Sequence, residues 1–258
     1  MSNFDRNAPV WGAGRAQQTS AVEMDQGLRS FMLGVYNNMS IGLAITGLAA
    51  IGISMLAIAG VSPTGKVTAL TPLGTALYTS PLKWVVMLAP LAFILFFSFK
   101  AESMSSSSAR AMFFAFAAVM GVSLSSIFVV YTGESITKVF FITAATFGAL
   151  SLYGYTTKKS LSAMGSFLIM GLIGLVIASL VNLFLQSSAL SFAVSAIGVL
   201  VFAGLTAWDT QRLKEMYLYS DMNPEEAAKL SVNGALSLYL NFINMFQMLL
   251  SLFGSKQE

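Results

Sequence analysis

What most constrains this chain is a series of long, mostly apolar stretches nearly devoid of charge. They are Phe31–Gly60, Leu82–Phe99, Ala111–Tyr131, Val139–Tyr155, Leu161–Leu185 and Ala189–Trp208. Crossing the hydrocarbon of a bilayer takes roughly 20 apolar residues in a helix. The runs are continuous and do not alternate in ten-residue units, which argues against a β-barrel. Six spanning helices are therefore expected. A seventh, weaker stretch, Ser231–Phe253, either spans or re-enters. The expected fold class is an all-α integral membrane protein.

Composition agrees and narrows the chemistry. Charged residues make up 10% of the 258, against about 25% in soluble domains. The absence of both cysteine and histidine excludes disulfides, Cys/His zinc sites, His- or Cys-ligated haem, and Ser-His-Asp or Cys-His catalysis. An aspartyl intramembrane protease would need two membrane acids, so no enzyme is expected. The net charge of +3 is small and its basic residues are scattered, which reads as a topology signal and not as a nucleic-acid footprint.

Residues 1–30 are polar and contain no apolar signal-peptide core, so they are expected to form a solvated cytoplasmic tail ahead of a transmembrane domain at 31–254. The connections are short except Val61–Pro81 and Asp209–Leu230, and neither holds a second domain. The serine-rich run after Lys100 reads as a polar loop. With the N-terminus inside, ten Lys and Arg residues fall on the inner side and four on the outer. That asymmetry favours a cytoplasmic N-terminus. Small residues at Gly42, Gly47 and Gly52, and at Gly171, Gly174 and Ala178, are expected to let helices approach. Pro90 is expected to kink its helix.

Asp209, in "GLTAWDTQRLKEMY", is the only acid placed against a hydrophobic helix at the membrane boundary. It is either a helix-end acid paired with Arg212 or a functional group, since intramembrane ionisable residues are functional candidates by default. In the seventh segment, Asn233, Ser237, Asn241, Asn244, Gln247 and Ser251 fall within an arc of roughly 120°. A polar stripe on a membrane helix must face protein or water. It is either interhelical hydrogen-bond glue or the lining of a polar pathway.

The segments "LSSIFVVYTGESI", "FGALSLYGYTTKKSLSAMG", "GLTAWDTQRLK" and "ALSLYLNFINMFQMLLSLFG" closely resemble bacterial members of the transmembrane Bax inhibitor motif family, over about residues 25–255. The resemblance implies seven helices with the last one central, and pH-sensitive leakage of calcium or other cations through the bacterial inner membrane. It also implies a sensor of two aspartates sharing a proton. The first matches Asp209. The second matches position 241, where this chain has Asn241. An amide in place of an acid removes the like-charge repulsion, so a single uncoupled titration at Asp209 is expected. Calcium prefers several carboxylate oxygens, so Asp209 alone is a weak metal ligand, and transient Ca²⁺ is the only cofactor-like species expected.

The family's basic latch corresponds to Lys100 or Arg110, each of which also reads as a plain topology signal. Expected partners are the lipid bilayer and cations, with no nucleic acid. The alternative role implied by some relatives is regulation of a membrane-bound AAA protease through the N-terminal tail.

Overall fold

The computed structural model describes residues 11–62, 66–100 and 103–257. Helix α1 (Trp11–Ala57) leads into a hairpin of β1 (Ile58–Val61) and β2 (Val67–Leu70). There follow α2 (Pro72–Tyr78), α3 (Leu82–Lys100), α4 (Ser106–Leu124), α5 (Ile127–Val130), α6 (Gly133–Thr156), α7 (Ser162–Leu185), α8 (Ser188–Tyr219) and α9 (Pro224–Phe253). Among the described residues six helices are long and apolar enough to cross a membrane. The pair α2 and α3, bent by 63° at the break between them, meets the same criteria only when taken together, as a broken span or a re-entrant segment. The chain is thus an all-α multi-pass membrane protein. The stretch that sequence left undecided forms α9, one unbroken helix of 30 residues.

Helix starts are set by short polar side chains. Ser105, Thr132, Ser187 and Asn223 each accept a hydrogen bond from a backbone N–H in the first turn of α4, α6, α8 and α9, satisfying donors that have no partner within the helix. At α9 the cap is reciprocal, Glu226 reaching back to the Asn223 N–H, with Pro224 in the first turn. This tight start corrects the expectation of a long loop over Asp209–Leu230. The connection is only Ser220–Asn223, because α8 runs on to Tyr219. Arg212, Lys214 and Glu215 end the hydropathy run without ending the helix.

The same applies at the other terminus. Helix α1 passes unbroken through the boundary expected at residue 30, and Leu28 is already buried. Phe31 stacks on Tyr217 of α8, ring centroids 4.7 Å apart. Residues 1–10 of the expected tail lie outside the described residues. The Val61–Pro81 connection, expected to be long and without a second domain, holds β2 and α2. The hairpin is clasped from the far end of the chain. Gln257 accepts from the Val67 N–H at 2.8 Å, and its amide donates to the Phe128 and Tyr131 carbonyls. Helix α3 continues through Pro90, and the bend in this region lies at its start, next to α2.

Helix α9 sits at the centre, packed on α1, α4, α6 and α8. Its Val232, Ala235, Leu238, Tyr239 and Met245 have no exposed surface. The Tyr239 ring meets Phe113 and Phe116 edge-on, and its hydroxyl lies 2.6 Å from Thr46 Oγ1 on α1. Close approach is carried mainly by glycines that the spacing argument did not single out. Gly154 on α6 abuts the Ala207 backbone on α8, and Gly121 on α4 abuts Thr46 and Ala49. Of the expected set, Gly42 faces the Phe113 ring and Gly171 faces Val201, whereas Gly47, Gly52 and Gly174 face open space. At the periphery, α3 packs chiefly on α2 and α4, and α7 chiefly on α8.

Candidate functional site

The α8–α9 contact is the most extensive in the bundle, and on its α8 side lies Asp209, the one buried charged residue among the described residues, at 7% exposure. With α8 running to Tyr219, Asp209 lies inside a helix, with roughly 15 Å of α8 beyond it. Ser237 donates to Asp209 Oδ2 at 2.8 Å, and Asn241 Nδ2 donates to the same oxygen at 2.7 Å. Ser237 and Asn241 are one turn apart on α9, so both point at one spot on α8. An ionised carboxylate only accepts, which orients the Asn241 amide with its NH₂ toward Asp209. Asp209 Oδ1 has no hydrogen-bond partner among the described residues. No fully enclosed side-chain oxygen or nitrogen there lacks a partner, so Oδ1 is open to the cleft beside it.

That cleft has a volume of about 720 Å³ and lies between α3, α7, α8 and α9. Asp209, Arg212, Ser237, Asn241 and Asn244 line it, with apolar residues of α7 opposite. Arg212 follows Asp209 by three positions on α8, and its guanidinium lies over the Trp208 ring, 5.2 Å from the centroid. Asp209 is the only carboxylate in the lining, so a cation there would meet one full negative charge, some amide and hydroxyl oxygens, and a nearby guanidinium. Calcium typically takes six to eight oxygens, carboxylates prominent among them. The cleft therefore lacks the donor set of a tight calcium seat.

The six-residue stripe divides on inspection. Ser237 and Asn241 bond Asp209, and Asn244 lines the same cleft while its Nδ2 donates to the Leu240 carbonyl. Gln247 faces a second cleft of about 610 Å³, nearer the hairpin. Asn233 is exposed, and Ser251 accepts from Ser195 at 3.0 Å. Lys100 and Arg110 are exposed at the α3–α4 connection and are not part of the Asp209 cleft. The basic residue that lines the cleft with Asp209 is Arg212, on its own helix, and the structure does not bring Lys100 or Arg110 to that cleft.

Sequence reasoning missed the polar chain on the other side of α8. Tyr36 on α1 and Ser151 on α6 have their hydroxyls 2.6 Å apart, and Ser151 lies 3.0 Å from Thr210 Oγ1. Gln211 accepts from the Leu161 N–H and donates to the Lys159 carbonyl, tying down the α6–α7 connection. Gly165 of α7 packs against the Trp208 ring. Because successive helical residues turn by 100°, "WDTQ" reaches α7, α9, α6 and the α6–α7 connection in turn. The signal was present as four side chains of hydrogen-bonding type at the end of an apolar run, but their directions need the fold.

A sequence profile of the family described as "Inhibitor of apoptosis-promoting Bax1" matches residues 28–258. Similar proteins include one from Rickettsia prowazekii, 47% identical over 234 residues, covering 91% of this chain and 93% of the relative. One from Caulobacter vibrioides is 43% identical over 260 residues, with complete coverage of both chains. The inner membrane protein YbhL of Escherichia coli is 42% identical over 240 residues, covering 92% of this chain and 97% of YbhL.

Proposed function

The chain belongs to the family of inhibitors of apoptosis-promoting Bax1, and from that premise we propose that it is a pH-sensitive cation leak protein in which protonation of Asp209 opens the path. The observation that carries this reading is the geometry at Asp209. A single buried carboxylate is held through one oxygen by two neutral donors of the central helix, while its other oxygen reaches a cleft. While ionised, the acid binds Ser237 and Asn241 by charge-assisted hydrogen bonds, which are roughly twice as strong as neutral ones. Adding a proton removes the charge, weakens both bonds and cancels the attraction to Arg212. The α8–α9 contact beside the cleft then relaxes.

Asn241 makes this a one-acid device. A two-acid site would titrate in coupled steps, whereas here one transition is expected. The cargo we favour is a cation in transit, calcium or monovalent, with no tightly held ion. We place the protein in the bacterial inner membrane with its N-terminus cytoplasmic. That placement is supported by the ten-to-four distribution of Lys and Arg and by YbhL being an inner membrane protein.

The test is calcium and monovalent flux in proteoliposomes across about pH 5 to 8, a window in which a buried acid can titrate. Wild-type flux should rise through a single transition, and Asp209→Asn should flatten the profile. An unchanged pH dependence in Asp209→Asn would remove Asp209 from the mechanism.

A further inference from the structure

The second cleft has a chemistry that the leak reading does not use. It lies where α2, α3, α4 and α9 meet near the hairpin, and it shares Met87 and Leu183 with the Asp209 cleft, so the two form one trough. The trough exists because α3 packs chiefly on α2 and α4 while α7 packs chiefly on α8, leaving a lateral gap between α3 and α7. Its walls are mainly aliphatic. Along α7 the lining extends from Ile169 to Leu183, roughly 21 Å at 1.5 Å per residue. One leaflet of the hydrocarbon core is about 15 Å deep, so an acyl chain fits along it.

The polar end of the trough is cationic. Lys83 lines it, and no carboxylate does. Among the described residues the Lys83 ammonium has one partner, the Trp84 ring, 5.5 Å from the centroid. Lys83 and Trp84 open α3, and a basic residue beside a tryptophan at a helix end sits at headgroup level. The Gln247 side chain also reaches this cleft and makes no hydrogen bond with a described residue. A primary amide in a membrane helix needs a polar partner. A lone cation and an unpartnered amide above an aliphatic trough suit a lipid phosphate and oppose a metal cation.

We propose that this trough is a binding site for an anionic phospholipid, with its phosphate at Lys83, its ester region within reach of Gln247, and one acyl chain running past Met87 and Leu183 toward the Asp209 cleft. The site does not depend on the leak reading, because its observable is lipid binding and not flux.

The experiment uses Trp84 as the probe. The full chain carrying Trp11→Phe and Trp208→Phe is reconstituted in phosphatidylcholine, and brominated phosphatidylglycerol or brominated phosphatidylcholine is titrated in. Phosphatidylglycerol should quench Trp84 at about fivefold lower mole fraction, the factor one basic residue contributes near an anionic surface. Lys83→Gln should abolish that preference, and Lys138→Gln, an exposed lysine outside the trough, should leave it intact. Equal quenching by the two lipids would reduce the trough to ordinary boundary lipid and overturn the proposal. So would equal loss in Lys138→Gln, competition by soluble glycerol phosphate, or protection of Trp84 from both lipids by a second protein chain. If Trp208→Phe fails to fold, native mass spectrometry of the otherwise natural chain replaces quenching. Retained phosphatidylglycerol should then be lost in Lys83→Gln, and its absence from the wild type would overturn the proposal.

Discussion

One substitution made at two points of one helix tests whether α6 and α8 touch as closely as described. Gly148 and Gly154 both lie on α6. A Cβ at Gly148 would meet nothing within 4 Å, whereas at Gly154 it would run into the Ala207 carbonyl oxygen, with the Ala207 C and Cα atoms at 2.9 and 3.0 Å. Exchanging glycine for alanine in a helix interior is worth about 0.8–1 kcal/mol in propensity at either site. At Gly148 nothing opposes that gain, so Gly148→Ala should be neutral or stabilise by up to about 1 kcal/mol. At Gly154 the obstacle is backbone, which cannot rotate aside, and forced overpacking costs roughly 1–3 kcal/mol, occasionally more. The cost at Gly154 should fall in the upper part of that range and outweigh the propensity gain, leaving a net loss of about 1–2 kcal/mol. The two variants should therefore differ by about 2 kcal/mol. At roughly 2–4 °C per kcal/mol for a chain of this size, that is a Tm gap of about 4–8 °C. Thermal unfolding in one detergent, followed by intrinsic fluorescence, measures it. Equal Tm values would refute the close α6–α8 contact, and with it the placement of the Asp209 helix.

Asn241→Asp puts a second acid where Nδ2 now sits 2.7 Å from Asp209 Oδ2; two carboxylates that close titrate in coupled steps. The flux profile should broaden into two transitions and calcium binding should tighten, while an unaltered profile would mean that position 241 does not act on Asp209. At the α1–α9 contact, Thr46 has one hydroxyl proton but lies within hydrogen-bond distance of the Ala117 carbonyl, the Gly42 carbonyl and the Tyr239 hydroxyl. Tyr239 must therefore donate if Thr46 bonds a carbonyl. On that assignment Tyr239→Phe should cost about 0.5–1.5 kcal/mol, and Thr46→Val, which strands a buried phenol, about 1–3 kcal/mol. Thermal unfolding in detergent ranks the two, and the reverse order would overturn the assignment.

Hydropathy located the crossings because lipid imposes it. A run such as Leu161–Leu185 has no other stable use, and α7 spans Ser162–Leu185. It failed where the physical cause of helix formation changes. Beyond Asp209 the helix is held by Gln211 bonding the α6–α7 connection, Lys214 donating to the Tyr155 carbonyl and Tyr217 stacking on Phe31. These tertiary contacts leave no apolar periodicity to read. The hairpin had a readable signal, β-branched residues either side of "SPTG", masked by reading that stretch as a connection. The opposition of Asn241 to Asp209 was legible from resemblance and helical phase together. The positions of Lys100 and Arg110 were not, because charge at a helix end marks topology whether or not it faces a site.

The same contacts indicate which element yields in the proposed gating. Helix α8 is fixed around Asp209 by bonds that involve no titrating carboxylate. Thr210 meets Ser151, Gln211 bonds both Leu161 and Lys159, and Gly165 packs on Trp208. Losing one negative charge leaves all of these intact. Helix α9 is held differently along its length. Its start is fixed by the Asn223–Glu226 cap and by Glu225 accepting from the Ser106 N–H and hydroxyl. Beyond its end, Ser255 and Gln257 bond the segment from Phe128 to Ser135. On its α8-facing side, Ser237 and Asn241 are the two polar attachments near mid-helix, and both end on Asp209 Oδ2. A rod tethered at both ends, held to α1 through Tyr239 and to α8 near mid-helix through one titratable atom, would respond to a proton in this proposal by bowing away from α8, not by sliding. Movement in a gating transition should therefore be concentrated between Ser237 and Asn244, where α9 lines the cleft.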